Sequence, residues 1–356
     1  MRKRAFTAVY ATALTILLVA GLVISFYFAQ KQGVYEAVAC VIGIVLSFAL
    51  APFFHELGHI VFGLATKMQI VYAKFFCVKL VRIKGKLKIR FASPFRADET
   101  QVLPKCAENM QKRAKLYTLG GLFFSGAFVF AIAIEAVLFS IFSSSHYLLW
   151  GILPYSAYLF LLNVMPLQYA GGKTDTCVYQ GLKRQEPAEA TMLSAMEIQG
   201  FLAEGKSFAE IDETLYFRAP QLAEDEPLFA VMLDLRYHYY LEKGEIEKAG
   251  DCLNRLINAE AYLPDEELEK VAGECVYIYS LLGDLERAEQ SGKVAKPYLA
   301  QEHATAKRIL TAFTARFGDL ERAEIIKKQA ESALENEQVA GVRKFEEILL
   351  SRISLA

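Results

Sequence analysis

The sequence predicts a mainly α-helical chain. A polytopic membrane bundle of four transmembrane helices, with a small cytoplasmic β-hairpin, is followed by an α-helical repeat domain. Three observations lead there. Apolar residues make up 54% of the chain, and the excess lies almost wholly before about residue 170. Four runs in that half are long enough to cross a bilayer. In the charged half a short glycine-to-alanine motif recurs three times.

At 356 residues the chain is long enough for two domains. The change in composition divides it into a membrane domain, 1–180, and a helical domain, 181–356. The formal net charge of −1 gives no whole-chain basic signal for nucleic acid, so no nucleic-acid partner is expected. Cys40, Cys77, Cys106, Cys177, Cys252 and Cys275 are scattered without a C-x-x-C pair, which argues against a disulfide framework and a cysteine-rich metal cluster.

A membrane helix needs about 20 largely apolar residues. The expected spans are 5–29, 34–66, 118–142 and 147–167. The first follows Arg2-Lys3-Arg4 and reads as an anchor, because its apolar run exceeds that of a signal peptide and lacks a small-residue cleavage site. Between the second and third spans, lysines and arginines from Lys67 to Lys115 face only Asp98, Glu99 and Glu108, while the other two connections hold a single lysine. The positive-inside rule then puts both termini and the basic loop in the cytoplasm. The expected location is a bacterial-type plasma membrane.

Within that loop, "VRIKGKLKIRF" alternates. Val81, Ile83, Leu87, Ile89 and Phe91 share parity while cations fill the even positions, which predicts a hairpin turning near Gly85 with one apolar face. Its cations suit topology and anionic headgroups of the lipid bilayer better than nucleic acid.

"FFHELGHIVF" places His55, Glu56 and His59 inside the second span. Residues four apart on a helix share a face, so the two histidines can converge on one metal ion. Glu56, beside the first of them, is placed to take a proton from water activated by the metal. Zinc suits such ligands and keeps a position open for catalysis. Ionisable groups at membrane depth cost a few kcal/mol each, about 2.5–3.5 by insertion scales, and a bound Zn2+ compensates all three.

The third ligand is less local. "HIVFGLATKM" supplies no further histidine, and no acid follows before Asp98. His146 falls at the opposite membrane face, and His238 and His303 lie in the distal helical region, where they read as ordinary helix-surface residues. Glu135 in the third span and Asp175 just after the fourth remain. Asp175 matches His55 in depth, whereas Glu135 lies nearer the outer side.

"HELGH" within a span, the N-x-x-P of "LLNVMPLQYAGGKTD" and a final aspartate together resemble the site-2 protease family of intramembrane zinc metalloproteases, over roughly residues 34–180. The resemblance implies His55, His59 and Asp175 as zinc ligands and Glu56 as catalytic base. It also implies that Asn163 positions the substrate strand or stabilises the developing oxyanion. The basic hairpin would correspond to the family's membrane-associated sheet, which offers an edge to an unwound substrate. Two departures stand out: the aspartate comes later after Asn-x-x-Pro than in many members, with Gly171 and Gly172 available to absorb the length, and a G-P-x-x-N motif is reduced to "GGLFFS", Gly120 to Ser125. Such small residues also serve ordinary helix packing.

In the second half, "GEIEKA" at Gly244 and "GDLERA" at Gly283 and Gly318 recur at spacings near the roughly 34 residues of a helix-turn-helix repeat. The glycine would end one helix, and Ala249, Ala288 or Ala323 would let the next pack closely. Residues 225–336 resemble tetratricopeptide repeats, with "VRKFEEILLSRI" as a closing helix and 185–224 helical as well. Such arrays build surfaces for a protein partner.

The expected activity is zinc-dependent hydrolysis of a peptide bond in a membrane-embedded or membrane-proximal protein or peptide, with the repeats recruiting substrate or regulator. The alternatives are a non-enzymatic membrane adaptor with a degenerate metal site, and a factor maturing short exported peptides.

Overall fold

Hydrophobic length sets the first architecture. In the computed structural model, which describes residues 2–83, 86–93, 99–142, 146–169, 172–224, 226–258 and 264–354, four helices are long and apolar enough to cross a membrane. These are α1 (Arg2–Gln32), α2 (Val34–Ala65), α3 (Met110–Phe142) and α4 (Tyr147–Val164). The sequence reading found all four, but began the third later than the helix does; α3 carries a polar first turn and a half, through Lys115, that hydropathy alone leaves out. Large apolar side chains such as Ile16, Val23, Phe123 and Phe130 remain more than half exposed on these helices, as a lipid-facing surface requires.

The helices touch where they are smallest. A Cβ placed on Gly43 of α2 would strike the Leu148 carbonyl of α4, and one on Gly151 would strike the Cys40 carbonyl. The same close approach joins α2 and α3 at Gly58 and Gly120, each occupying the space a side chain would need against the other's backbone. With no solvent to drive apolar faces together in lipid, close backbone packing supplies the attraction.

Between α2 and α3 the chain forms more than the expected hairpin. Four strands, β1 (Met68–Phe75), β2 (Val78–Ile83), β3 (Lys86–Phe91) and β4 (Glu99–Pro104), make a sheet of order β3-β2-β1-β4. Lys84 and Gly85, where the turn was expected, lie outside the described residues. The register corrects the single apolar face. Leu80 pairs with Ile89 and Val78 with Phe91, whereas Val81 pairs with Lys88 and Arg82 with Leu87. Directly paired residues share a face. In this register a partner of odd number always meets one of even number, so equal parity on the two strands means opposite faces.

After α4 come a short antiparallel pair, β5 (Gln168–Tyr169) and β6 (Gly172–Lys173), and then α5 (Asp175–Arg184). Contacts divide the chain into two units. The first is residues 1–103 with 109–186; the second is 187–356 with the short stretch Pro104–Glu108.

The second unit holds α6 (Pro187–Ala203), a 3₁₀ turn (Phe208–Glu210), α7 (Thr214–Phe217), α8 (Pro227–Lys243), α9 (Ile246–Asn258) and α10 (Asp265–Leu282), then α11 (Leu285–Leu299), α12 (Ala304–Arg316), α13 (Leu320–Leu334) and α14 (Ala340–Arg352). The three recurring motifs fold alike. Gly244, Gly283 and Gly318 have φ of 80°, 77° and 108°, the left-handed conformation that ends α8, α10 and α12. In each case the following N–H reaches back to a carbonyl of the last turn: Glu245 to Tyr240, Asp284 to Tyr279, Asp319 to Thr314. Asp284 and Asp319 then cap the next helix by accepting from the Arg287 and Arg322 N–H groups. Ala249, Ala288 and Ala323 are fully buried.

Its core is apolar around a buried charged cluster centred on Arg308. Arg308 donates to Glu346 Oε2 at 2.7 Å and to Glu274 Oε1 at 2.7 Å, and lies 4.1 Å from the centre of the Tyr277 ring. Tyr237 completes the group by donating to Glu274 at 2.6 Å. Burial opposes ionisation of Glu274, yet the charges of Arg308 and His238 and the hydrogen bonds from Arg308 and Tyr237 together hold the carboxyl below its ordinary range. Beside it, burial and then the Glu274 charge push the Cys275 thiol up to about 12.

Candidate metal centre

On α2, His55 and His59 present their rings from one helical face, with centroids 5.0 Å apart and planes at 81°. Both are buried, as is Glu56 between them. Their orientation is set from behind. His55 Nδ1 lies 2.9 Å from Ser125 Oγ, and His59 Nδ1 donates to the Tyr117 carbonyl at 3.1 Å. Ser125 and Tyr117 both belong to α3. A carbonyl only accepts, so His59 Nδ1 carries a proton, and in the neutral ring Nε2 is then the atom with the lone pair; such outer contacts fix the tautomer of metal-binding histidines.

The close crossing at Gly58 and Gly120 brings the next residue of α3, Gly121, against the imidazoles. A Cβ there would stand 2.5 Å from His59 Nε2, 2.8 Å from His55 Cε1 and 2.9 Å from Asp175 Oδ2. The only L side chain that leaves this space open is hydrogen.

Asp175 reaches the site through the stretched "AGGKTD". Pairing of Gln168 with Lys173 and of Tyr169 with Gly172 folds the extra length back on itself, with Ala170 and Gly171 outside the described residues. The Thr174 N–H donates to the Leu167 carbonyl at 3.0 Å, and its hydroxyl donates to the Met165 carbonyl at 2.6 Å. The chain therefore returns to the end of α4 before α5 begins with Asp175. Gln111 of α3 donates to the Leu182 carbonyl at 2.9 Å and ties α5 to the bundle.

Asp175 Oδ2 lies 3.3 Å from His55 Nε2 and 3.4 Å from His59 Nε2. Among the described residues, the ligand atoms of these three side chains all lie within 4.8 Å of one another. Oδ2 is buried and has no hydrogen-bond partner among the described residues. Lone pairs converging on one point repel unless a cation stands between them. Ligands about 2.05 Å from a tetrahedral zinc ion lie roughly 3.3 Å from each other, and Asp175 Oδ2 stands 3.3 and 3.4 Å from the two Nε2 atoms. The donor set, two imidazoles and a carboxylate, fits zinc, with a fourth position left for chemistry.

Glu56 is held from the sheet. The Thr100 hydroxyl donates to Glu56 Oε2 at 2.5 Å, and the Thr100 carbonyl accepts from the Tyr117 hydroxyl at 2.6 Å. At the end of α2, buried Arg113 donates to the carbonyls of Thr66 at 2.6 Å and Lys67 at 2.9 Å. A cation at a helix C-terminus satisfies carbonyls that lack an intrahelical partner.

The other sequence candidates are not among the three clustered ligands. Asn163 sits in the last turn of α4 and donates its amide to the Leu159 carbonyl at 3.1 Å. Glu135 is exposed on α3, and His146 precedes α4, at the end opposite Asn163. The two distal histidines are not ordinary surface groups. His238 is largely buried and stacks on Phe208 with centroids 4.8 Å apart, because its neighbours on α8 form the core. His303 caps α12, its Nδ1 accepting from the Ala306 N–H at 3.1 Å, and burial lowers its pKa in keeping with that acceptor role.

Sequence reasoning missed Thr100, Tyr117, Gly121 and Ser125 as parts of the site. "GGLFFS" did signal the last two, since Gly121 and Ser125 are four apart and share a face. Nothing local marks Thr100, which belongs to the site through strand placement alone. No protein-family model matches the chain, and neither does any curated protein or solved structure.

Proposed function

We propose that the chain is an intramembrane zinc endopeptidase of the site-2 protease kind, cutting a peptide bond in a membrane-embedded or membrane-proximal protein or peptide. One observation carries the reading: Asp175 Oδ2, buried and without a hydrogen-bond partner among the described residues, faces both histidine Nε2 atoms at 3.3 and 3.4 Å, with Glu56 next to His55 in the chain.

His55, His59 and Asp175 would hold the ion. Zinc bound there would supply Lewis acidity, lowering the pKa of water toward neutrality and polarising a carbonyl. Glu56 takes the proton from the attacking water and passes it to the leaving amine. Ser125 and the Tyr117 carbonyl hold the imidazoles in orientation. Asn163 contacts the substrate strand near the end of α4. A substrate helix must unwind before its carbonyl is accessible, and the sheet edge formed by β4, which carries Thr100 beside Glu56, suits an extended segment. The basic sheet and both termini face the cytoplasm under the positive-inside rule. The helical repeats recruit substrate or regulator.

The test compares wild type and Glu56→Gln at equal zinc content. Each is reconstituted in vesicles with a membrane-protein extract, and new protein N-termini are read by mass spectrometry. Cleavage next to or within apolar segments by wild type alone is expected. Identical patterns for the two proteins would refute the reading.

A further inference from the structure

The proposed chemistry needs the base at one fixed position relative to its ion. Covalent structure does not provide that, because the Glu56 side chain has three rotatable bonds and stands on a helix face different from those of the histidines. A second contact must hold it, and strand β4 provides one.

We propose that Thr100 is the positioning residue for Glu56 in peptide hydrolysis, holding one carboxylate oxygen so that the carboxylate keeps a single orientation toward the attacking water. This rests on the reading of Glu56 as the base. Three observations carry it. The Thr100 hydroxyl donates to Glu56 Oε2 at 2.5 Å, joining strand β4 to the carboxylate. Thr100 is itself fixed, since its carbonyl accepts from the Tyr117 hydroxyl at 2.6 Å. Tyr117 in turn accepts, through its own carbonyl, from His59 Nδ1 at 3.1 Å, and its ring lies 5.0 Å from the imidazole. Base and ligand are thus joined through Thr100 and Tyr117, and a displacement of β4 moves Glu56 relative to His59.

The residue type suits the task. A β-branched side chain on a strand has few accessible χ1 states, so its hydroxyl points one way. Valine has the same shape and no donor. Serine keeps the donor and gives up some of the rotamer restriction.

The test uses the full-length protein in detergent, loaded with Co2+ alone as a spectroscopic probe. Wild type, Glu56→Gln, Thr100→Val and Thr100→Ser are compared for Co2+ stoichiometry and for the position of the visible d–d absorption. Equal stoichiometry, with the band displaced in Thr100→Val in the same direction as in Glu56→Gln and returned toward wild type in Thr100→Ser, is expected. In the vesicle assay Thr100→Val should also cut more slowly by about tenfold or more, the loss of one hydrogen bond to a charged group. A wild-type band in Thr100→Val, while Glu56→Gln is displaced, overturns the role of Thr100 and leaves the protease reading standing. Loss of Co2+ from Thr100→Val but not from Glu56→Gln makes Thr100 a structural support only, and also overturns it. An undisplaced band in Glu56→Gln, or no Co2+ bound by wild type, overturns the protease reading and the inference with it.

Discussion

Gly121 faces His59 so closely that a Cβ on the glycine would lie 2.5 Å from the imidazole Nε2. A methyl group would therefore occupy the space on which the three ligand atoms converge. Gly121→Ala should weaken zinc binding by at least about 100-fold, beyond the roughly 10–100-fold that outer contacts contribute. Helix content should stay unchanged, because alanine favours a helix more than glycine does. Competition with a chromophoric chelator, alongside circular dichroism, checks both halves.

Ser125 touches His55 from behind, at 2.9 Å. Removing that contact in Ser125→Ala frees the ring to rotate without removing a ligand. Zinc affinity should fall about 10–100-fold, with stoichiometry at saturation preserved. Titration of the zinc-free protein measures both.

Arg308 is fully buried between Glu274 and Glu346. Arg308→Met leaves two buried carboxylates without their cation and should destabilise the helical unit by about 3–5 kcal/mol. Adding Glu274→Gln and Glu346→Gln should recover part of that loss. Urea unfolding followed by circular dichroism separates the single from the triple variant.

Acid should act on the same unit. The folded pKa of Glu274 is depressed by Arg308 against the effect of burial, and that of His303 is depressed mainly by burial. For a group whose folded pKa is lowered, the stabilising contribution is complete above the unfolded pKa and lost as pH falls through the folded one. His303 should therefore begin to weaken its cap below about 6.5, and Glu274 its ion pair below about 4. Thermal midpoints measured from pH 7 downward should fall in that order, and Glu274→Gln should flatten the lower limb.

Much of this was legible in the chain because it is local. The α2 motif, the four apolar spans and the three Gly-to-Ala turns each lie within a few residues, where period and composition report directly. Asp175 was accessible only by elimination on depth, and the reason its late position is tolerated, the fold-back of Gln168 and Tyr169 on Gly172 and Lys173, depends on a pairing that no periodicity encodes. The sheet was legible only as one hairpin. Its register put Val81 opposite Lys88, and parity along the chain could not reveal that without the turn length. Thr100 and Tyr117 escaped notice because their roles arise from hydrogen bonds between elements. His238 was misplaced because a polar residue on an apolar helix face can be absorbed by ring stacking on Phe208.

X-ray absorption at the zinc edge of the full-length protein tests the central claim most directly. The account predicts one zinc per chain with two imidazole nitrogens at about 2.0–2.1 Å, carboxylate oxygen at about 2.0–2.2 Å and no sulfur, and loss of one imidazole contribution in His59→Ala. A sulfur shell near about 2.3 Å, or a spectrum unchanged by His59→Ala and Asp175→Asn, would contradict it.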